Sequence, residues 1–464
     1  MKKPWRPLML FAGDFLLANL ALGGALILRH SKVVSNDYYL LHEASFAALF
    51  IIWQVAFYAM GLYDMRRMRE IVFIIRNLLM VAAVNWVIGT MYFYIFASDF
   101  GIIITPKTHL LLTLVFFHAA ALLWRKAWIN LIQSGALVQK VLFLGDDKHV
   151  RELQGDFQQI PELGYILAEG RDPQADLIVA DSRWVEEHWD DAKMIMGAAM
   201  RRRVPIVTLE NFYESILGKV SPDHAGDTAW IIEFILSGQN TTYLRLRRLA
   251  DIMVAGFLFL CLFPMLLVIA ALIRFVDKMS PFYGQKRLGL MGNQFMLWKF
   301  RTMVPTADAS GPFTSAREKD PRITALGNFL RRFRLDELPQ LWNVLCAQMS
   351  LVGPRPEWLL EIEILERVVP HYHLRHLVPP GMTGWAQVNF KATNNTTDSL
   401  EKLRYDLYYV KNVSLALDIS ILLKTAKRIF VNDVLVPSRP QTEGASGSGE
   451  DPKVLDFGSL IGRN

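Results

Sequence analysis

Apolar residues dominate the first quarter of the chain in four long runs, from about Leu8 to Leu28, Ala44 to Leu62, Ile71 to Ala97 and His109 to Trp124. Each reaches or approaches the ~20 residues that a bilayer core demands, so the pattern predicts four membrane-spanning helices. Isolated polar residues inside them, Asp14, Arg76 and Asn77, are expected to face neighbouring helices or an interface. For Asp14 a satisfied contact between helices is favoured over a transport path. Basic residues precede the first run (Lys2, Lys3, Arg6), separate the second from the third (Arg66, Arg67, Arg69) and follow the fourth (Arg125, Lys126), while the opposite loops carry Arg29, Lys32 and Lys107. The positive-inside rule then predicts that both ends of the bundle, and the chain that follows, are cytoplasmic. No small-residue cleavage site follows the first run, so it is expected to be retained.

A fifth run, Ile252 to Ile273, carries no charge. Pro264 divides it into halves of about 12 and 9 residues, and the longer half rises only about 18 Å against a core of about 30 Å. Both flanks are basic: Arg245, Arg247 and Arg248 before it, Arg274, Lys278, Lys286 and Arg287 after it. A helix that enters, kinks at Pro264 and returns to the same side accounts for both facts. It is favoured over a proline-bearing span, which membrane proteins also tolerate.

Between these parts, residues 139 to about 235 change period. Val141–Leu144, Tyr165–Leu167, Leu177–Ala180 and Ile206–Leu209 read as short buried strands separated by helical patterns such as Asp191–Met200. The pattern predicts a small parallel sheet of Rossmann type. Its first strand runs into Gly145-Asp146-Asp147, without the G-x-G-x-x-G that lets a pyrophosphate approach the backbone. A degenerate regulatory or assembly module is therefore favoured over a working cofactor site. The predicted organisation is a four-helix transmembrane bundle (residues 1–134), a degenerate Rossmann-like α/β domain (135–240), an α/β catalytic domain with a re-entrant helix at about 249–276 (241–436), and a Gly/Ser/Pro-rich disordered tail (437–464).

Composition agrees with a membrane protein of mixed class. Hydrophobic residues make up 52% and charged residues 20% of 464, which excludes a disordered or fibrous chain and disfavours a wholly soluble enzyme. The net charge of +6 suits a cytoplasmic membrane face or a phosphorylated ligand and is too diffuse to imply nucleic acid. Cys261 and Cys346 are the two cysteines, so there is neither a disulfide framework nor a zinc cluster.

Candidate chemistry lies after the fifth run. Cations gather at Lys286, Arg287, Lys299, Arg301, Arg322, Arg331, Arg332, Arg334 and Arg355. Several suit anionic lipid, yet Lys299-Phe300-Arg301 on a strand would point both cations one way. Arg355, between Pro354 and Pro356, leaves a stiff backbone. Stiffly held cations favour a phosphate ligand. Among them, Leu338, Leu341, Trp342 and Leu345 show helical spacing behind Asp336-Glu337, which places the acidic pair in a first turn or cap. Such a pair is usually structural. Enclosed by Arg331, Arg332 and Arg334, one carboxylate can also attack phosphorus while its neighbour holds Mg²⁺ against a diphosphate. His371, His373 and His376 read as an interfacial helix face with Tyr372 and Arg375, in preference to metal ligands. Tyr405, Tyr408 and Tyr409 read as an aromatic belt or packing stripe.

Six blocks in order, Gln285-Lys286-Arg287-Leu288-Gly289, Lys299-Phe300-Arg301-Thr302-Met303, Asp320-Pro321-Arg322-Ile323-Thr324, Leu335-Asp336-Glu337-Leu338-Pro339-Gln340, Met349-Ser350-Leu351-Val352-Gly353-Pro354-Arg355-Pro356 and Pro380-Gly381-Met382-Thr383-Gly384-Trp385, resemble the bacterial sugar transferase family. These are monotopic polyprenyl-phosphate phosphoglycosyl transferases. The four N-terminal spans and the nucleotide-fold domain resemble its large, membrane-bundled members. The resemblance implies a bacterial inner-membrane enzyme with a cytoplasmic-facing catalytic domain. It would transfer a sugar-1-phosphate from a UDP-sugar to undecaprenyl phosphate, release UMP, and so initiate exopolysaccharide, capsule or O-antigen synthesis.

The resemblance further implies Asp336 as nucleophile, Glu337 as ligand to Mg²⁺ and the Pro264 helix as a re-entrant anchor in membrane lipid. Gln285, Arg287, Lys299, Arg301, Arg322, Arg334 and Arg355 would bind phosphate or nucleotide. Asp406 is a weaker candidate, because the family keeps an acidic residue nearby. Glucose or galactose is the expected sugar, and a homodimer stays open. Many members have Gly-Asp where this chain has Ala347-Gln348, which puts any acidic role there in doubt. Two other classes are weighed. A membrane-bound nucleotide-sugar dehydratase would need Tyr-x-x-x-Lys and G-x-G-x-x-G, which are missing. A non-enzymatic scaffold of polysaccharide export would release no UMP.

Overall fold

The structure is a computed structural model describing residues 5–30, 35–63, 71–96, 106–133, 138–145, 150–151, 153–155, 165–168, 175–220, 241–304, 322–369, 371–390 and 396–431. The tail at 437–464 and the expectations for Lys2, Lys3, Lys32, Arg66, Arg67, Arg69, Asp146, Asp147, Asp320 and Pro321 lie outside the described residues. The chain divides into two compact units, residues 1–216 and 217–464.

In the first unit, α1 (Trp5–His30), α2 (Asn36–Ala59), α3 (Ile71–Phe96) and α4 (Pro106–Gln133) coincide with the four predicted spans and extend most of them. Each contains a stretch long and apolar enough to cross a membrane, and the chain is a membrane protein. Asp14 on α1 accepts two hydrogen bonds from Arg125 on α4, at 3.0 and 2.9 Å, with both side chains wholly buried. Arg125 is therefore not a loop cation beyond the fourth span, as its place in the sequence suggested. The helix continues through it to Gln133, and Asp14 meets its charge inside the bundle. Asp14 has its satisfied contact between helices.

The same unit holds β1 (Gln139–Leu144), β2 (Tyr165–Leu167), β3 (Leu177–Ala180), α5 (Ser182–Glu187), α6 (Trp189–Arg202), β4 (Ile206–Thr208) and α7 (Leu209–Leu217). The strands form a four-stranded parallel sheet in the order β2-β1-β3-β4. The continuous apolar runs follow from burial, with Leu142, Leu144, Ile178 and Ala180 packed against Ala199 of α6. Gly145, at the end of β1, has φ +128°, and a Cβ there would come within 2.8 Å of Asp181. Packing of adjacent strand ends thus requires this glycine.

The second unit is built on α8 (Thr241–Phe275), a 35-residue helix that continues through Pro264. Phe257, Leu260, Phe263 and Leu267 form an exposed apolar face suited to hydrocarbon. The opposite face packs along its whole length on one set of elements. Ala255 joins Phe295, Leu297, Leu341 and Val344, while Leu266, Ile269 and Ile273 join Phe300 and Leu330. Arg247 is buried rather than displayed to lipid, and Arg248 donates to the backbone oxygens of Val344, Leu345 and Met349. These two flanking cations are used inside the protein.

After α8 come the antiparallel pair β5 (Phe282–Leu288) and β6 (Gln294–Phe300), then α9 (Ala325–Arg332), a 3₁₀ turn (Leu335–Glu337) and α10 (Gln340–Leu345). They are followed by β7 (Ser350–Val352), α11 (Leu359–Val368), a second 3₁₀ segment (Tyr372–Leu377), β8 (Gly381–Thr383), α12 (Trp385–Asn389), α13 (Thr396–Lys411) and α14 (Leu415–Val431). β7 and β8 pair in parallel. A Cβ on Gly381 would lie 2.1 Å from the Gly353 nitrogen, so only glycine lets these strands meet beside Pro354-Arg355.

Candidate active site

The acidic pair sits one step earlier than its hydrophobic spacing suggested. Asp336 and Glu337 occupy a separate 3₁₀ turn, and the α-helix starts only at Gln340. Pro339 has no N–H to donate to the Leu335 oxygen, and that oxygen accepts from Leu338 N at 3.3 Å instead. Arg334, at φ 54°, turns the chain into this segment. Asn343 staples it to β6. Its side chain donates to the Met296 oxygen at 2.7 Å and accepts from Trp298 N at 3.1 Å.

Glu337 is held by three cations: Arg355 at 2.7 Å, Arg334 at 3.6 Å and Lys299 at 3.7 Å. Burial alone would raise its pKa, but the charges of Arg355 and Lys299 outweigh burial and hold the carboxyl down at about 2. Asp336 shifts the other way. Desolvation and the neighbouring Glu337 charge raise it, and it enters no ion pair among the described residues. Two adjacent carboxylates with diverging pKa values are suited to different tasks. Desolvation and the nearby Arg355 lower the Lys299 ammonium to about 8.

Other predicted site residues lie at varying distance from this pair. Arg287 donates to Gln285 Oε1 at 2.6 Å and to the Pro356 oxygen at 3.2 Å, which ties β5 to the proline-flanked loop of Arg355. Arg301 rests over the Tyr283 ring at 5.3 Å, and the Arg322 backbone oxygen accepts from Val304 N. Neither belongs to the cations that pair with Glu337. Of the arginines expected to enclose the acids, Arg331 donates to Thr302 Oγ1 at 2.8 Å and also lowers the Asp336 pKa through its charge. Arg332 lies over the Phe333 ring.

Asp406 is wholly buried and accepts from Arg375 at 2.7 Å. The same guanidinium donates to the backbone oxygen of Arg355 at 2.9 Å and approaches Glu357 at 3.6 Å. Asp406 thus supports the Arg355 loop from behind. Arg375 and His376 are buried, which corrects the expectation of an interfacial face. Burial, with the Arg375 charge, depresses His376 to about 3. Tyr408 and Tyr409 are packing residues of two core clusters. Among the described residues, no three His, Cys, Asp or Glu side chains are grouped to hold a metal.

Sequence reasoning missed the role of Asn343 and took Arg375 for an interfacial residue. It also missed Lys402, Arg428, Gln387 and Phe390, which line a cavity of about 240 Å³ with Arg334 and Arg355. No local pattern marks these residues, since their partners lie far along the chain.

A continuous stretch, residues 242–432, matches the profile described as bacterial sugar transferase. A UDP-glucose:undecaprenyl-phosphate glucose-1-phosphate transferase of Xanthomonas campestris pv. campestris is 31% identical over 348 residues, 68% of this chain and 72% of that one. The chain belongs to the bacterial sugar transferase family. Within it, a UDP-N-acetylgalactosamine-undecaprenyl-phosphate N-acetylgalactosaminephosphotransferase of Aeromonas hydrophila is 32% identical over 58% of this chain. A UDP-glucose:undecaprenyl-phosphate glucose-1-phosphate transferase of Escherichia coli (strain K12) is 40% identical over 42% of it. The matches span 61% and 42% of the length of those two relatives. The family match covers α8, the acidic pair and the Arg355 loop together.

Proposed function

We propose that this sugar transferase moves a sugar-1-phosphate from a UDP-sugar to undecaprenyl phosphate and releases UMP, initiating exopolysaccharide, capsule or O-antigen synthesis. The relatives named above share this lipid acceptor and differ in the sugar. The observation that carries the mechanism is the division of the acidic pair, with Glu337 clamped by three cations and Asp336 desolvated beside it. A partly desolvated carboxylate that is in no ion pair is the better nucleophile of the two.

In this reading an Asp336 carboxylate oxygen attacks the β-phosphorus of the donor. The aspartyl–phosphorus bond forms as the bond from that phosphorus to the bridging oxygen breaks, and UMP leaves with the electron pair. An oxygen of undecaprenyl phosphate then attacks the same phosphorus, which frees Asp336 and yields a sugar diphosphate lipid. Arg355, Lys299 and Arg334 hold phosphate oxygens as charge moves between them. Mg²⁺ usually reaches such a site on a diphosphate, held by one or two carboxylates and not by an all-protein cage, and no such cage is grouped among the described residues. Glu337 would hold the ion, which when bound neutralises phosphate charge.

We also read α8 as a re-entrant anchor at the cytoplasmic face of the inner membrane. α8 is long and apolar enough to cross a membrane, but both of its halves pack on elements of the same unit, which supports an anchor held at one face with Pro264 as its bend. Such an anchor brings a lipid phosphate and a water-borne nucleotide to one interface and reduces the entropy lost in aligning them.

Mass spectrometry of the full chain incubated with UDP-sugar alone tests the scheme. A phosphosugar adduct is expected on the peptide carrying Asp336, with matching UMP release, and Asp336→Asn should give neither. An adduct on another residue, or transfer by the Asn variant, overturns the assignment.

A further inference from the structure

Arg334 and Arg355 each face two ways, toward Glu337 and toward the 240 Å³ cavity. The rest of that cavity is formed chiefly by Lys402 of α13, Arg428 of α14, and Gln387 and Phe390 at α12. Among the described residues four cations thus line it, and none of the lining residues is acidic. Lys402 is paired with Glu357, an acid it shares with Arg375, and Arg428 donates to the Gln387 backbone oxygen. Burial brings the Lys402 ammonium down to about 8, which leaves it charged at neutral pH. Held by these contacts, the cations cannot disperse into solvent, and their mutual repulsion is relieved by a bound anion.

Size and placement narrow the ligand. Pockets that enclose a whole drug-sized molecule run to roughly 300–1,000 Å³, so 240 Å³ takes the phosphate portion of a ligand and leaves the remainder outside. Phe390 is stacked on Tyr405 at 6.2 Å and buried, so it forms a wall and offers no free ring to a base. The helices α12, α13 and α14 contribute nothing to the two clusters that hold the apolar stretch of α8. α13 and α14 meet α8 near its N-terminal end, where Asp418 bonds Tyr243 and Arg247, so the cavity is walled by the cation-bearing helices and lies off the apolar stretch of α8, which suits a water-borne anion.

We infer that Lys402 and Arg428 complete, with Arg334 and Arg355, a subsite for the phosphates of a nucleoside diphosphate on the nucleotide side of the donor. The inference rests on the transferase reading for the identity of that donor. The shared arginines place this phosphate next to the acidic pair, one bridge from the phosphorus that Asp336 attacks. After the bond breaks, the same cations hold the charge that develops on the leaving nucleotide.

The test is calorimetric binding of UDP to the detergent-solubilised full chain, in parallel with a polyprenyl monophosphate in mixed micelles. Lys402→Met and Arg428→Gln are each expected to weaken UDP binding by about tenfold or more and to change polyprenyl phosphate binding by less than about twofold. If the wild-type chain binds UDP and both variants bind it equally well, the subsite is overturned while the transferase reading stands. Loss of polyprenyl phosphate in place of UDP assigns the cavity to the acceptor and also overturns it. If the wild-type chain does not bind UDP, both readings fall. Should a variant not fold, Lys402 in the wild-type chain serves instead: UDP is expected to protect it from amine acylation near pH 8, read by mass spectrometry, and absence of protection overturns the subsite.

Discussion

Arg375 meets Asp406 at 2.7 Å with both side chains almost wholly buried, and its guanidinium also reaches the backbone oxygen of Arg355 at 2.9 Å. A buried ion pair thereby sets the position of the loop whose side chain grips Glu337. Removing one partner strands the other charge, so Arg375→Met should destabilise the chain by about 3–5 kcal/mol. The double variant Arg375→Met/Asp406→Leu should recover most of that stability. It should not recover turnover, because nothing then holds the Arg355 carbonyl, and kcat/KM should stay at least about tenfold down. Thermal melting and steady-state kinetics on the same preparations separate the two effects. Recovery of both would make the pair purely structural.

A pH effect follows from Lys299 and Lys402, each depressed to about 8 by burial. As pH rises through 8 they lose their protons, so donor KM should increase while UDP binding weakens. Their effect on stability has the opposite sign. The folded pKa lies below the ordinary 10.5, so the unfolded chain binds more protons between pH 8 and 10.5, and these groups make the fold more stable as pH rises across that window. Activity should therefore fall before the protein melts. Lys299→Arg should carry the KM rise to higher pH, which a KM–pH profile would read.

Ala347 has φ +63°, in the left-handed region. Glycine is the residue that this region accommodates without strain. An L-residue held there costs about 1–2 kcal/mol, part of which glycine loses again through the freedom of its unfolded chain. Ala347→Gly should raise stability by about 0.5–1 kcal/mol without changing kcat, as measured by denaturant midpoint. Its neighbour Gln348 accepts from Asn343 Nδ2 at 2.6 Å, a role that an aspartate oxygen would also fill.

In the bundle, Asp14→Leu alone should leave Arg125 as an uncompensated buried charge and cost about 3–5 kcal/mol, while Asp14→Leu/Arg125→Met should restore most of it. A double-mutant cycle followed by thermal melting in detergent measures the coupling. Additive losses would show that the two side chains act independently.

Much of this protein was legible from local pattern, because that pattern records what surrounds each segment. The four spans and the buried parallel strands declare themselves through the length and period of their apolar runs, which depend on neighbours a few residues away. The acidic pair is visible for the same reason, since Asp336 and Glu337 are adjacent and lie inside a run that matches the family.

What the sequence left undecided depends on residues brought together from far apart. Pro339 marks a helix start, but the 3₁₀ turn that separates the acids from α10 arises as the Leu335 oxygen finds a nearer donor. Arg125 counts as a flanking cation until Asp14, 111 residues away, neutralises it. Arg375 reads as an interfacial residue until Asp406, 31 residues on, draws it into the interior. The contrast between Asp336 and Glu337 is likewise tertiary. Burial acts on both acids, but β6 and the Arg355 loop bring Lys299 and Arg355 to Glu337, and a charge pairing of this kind exists only once the chain has folded.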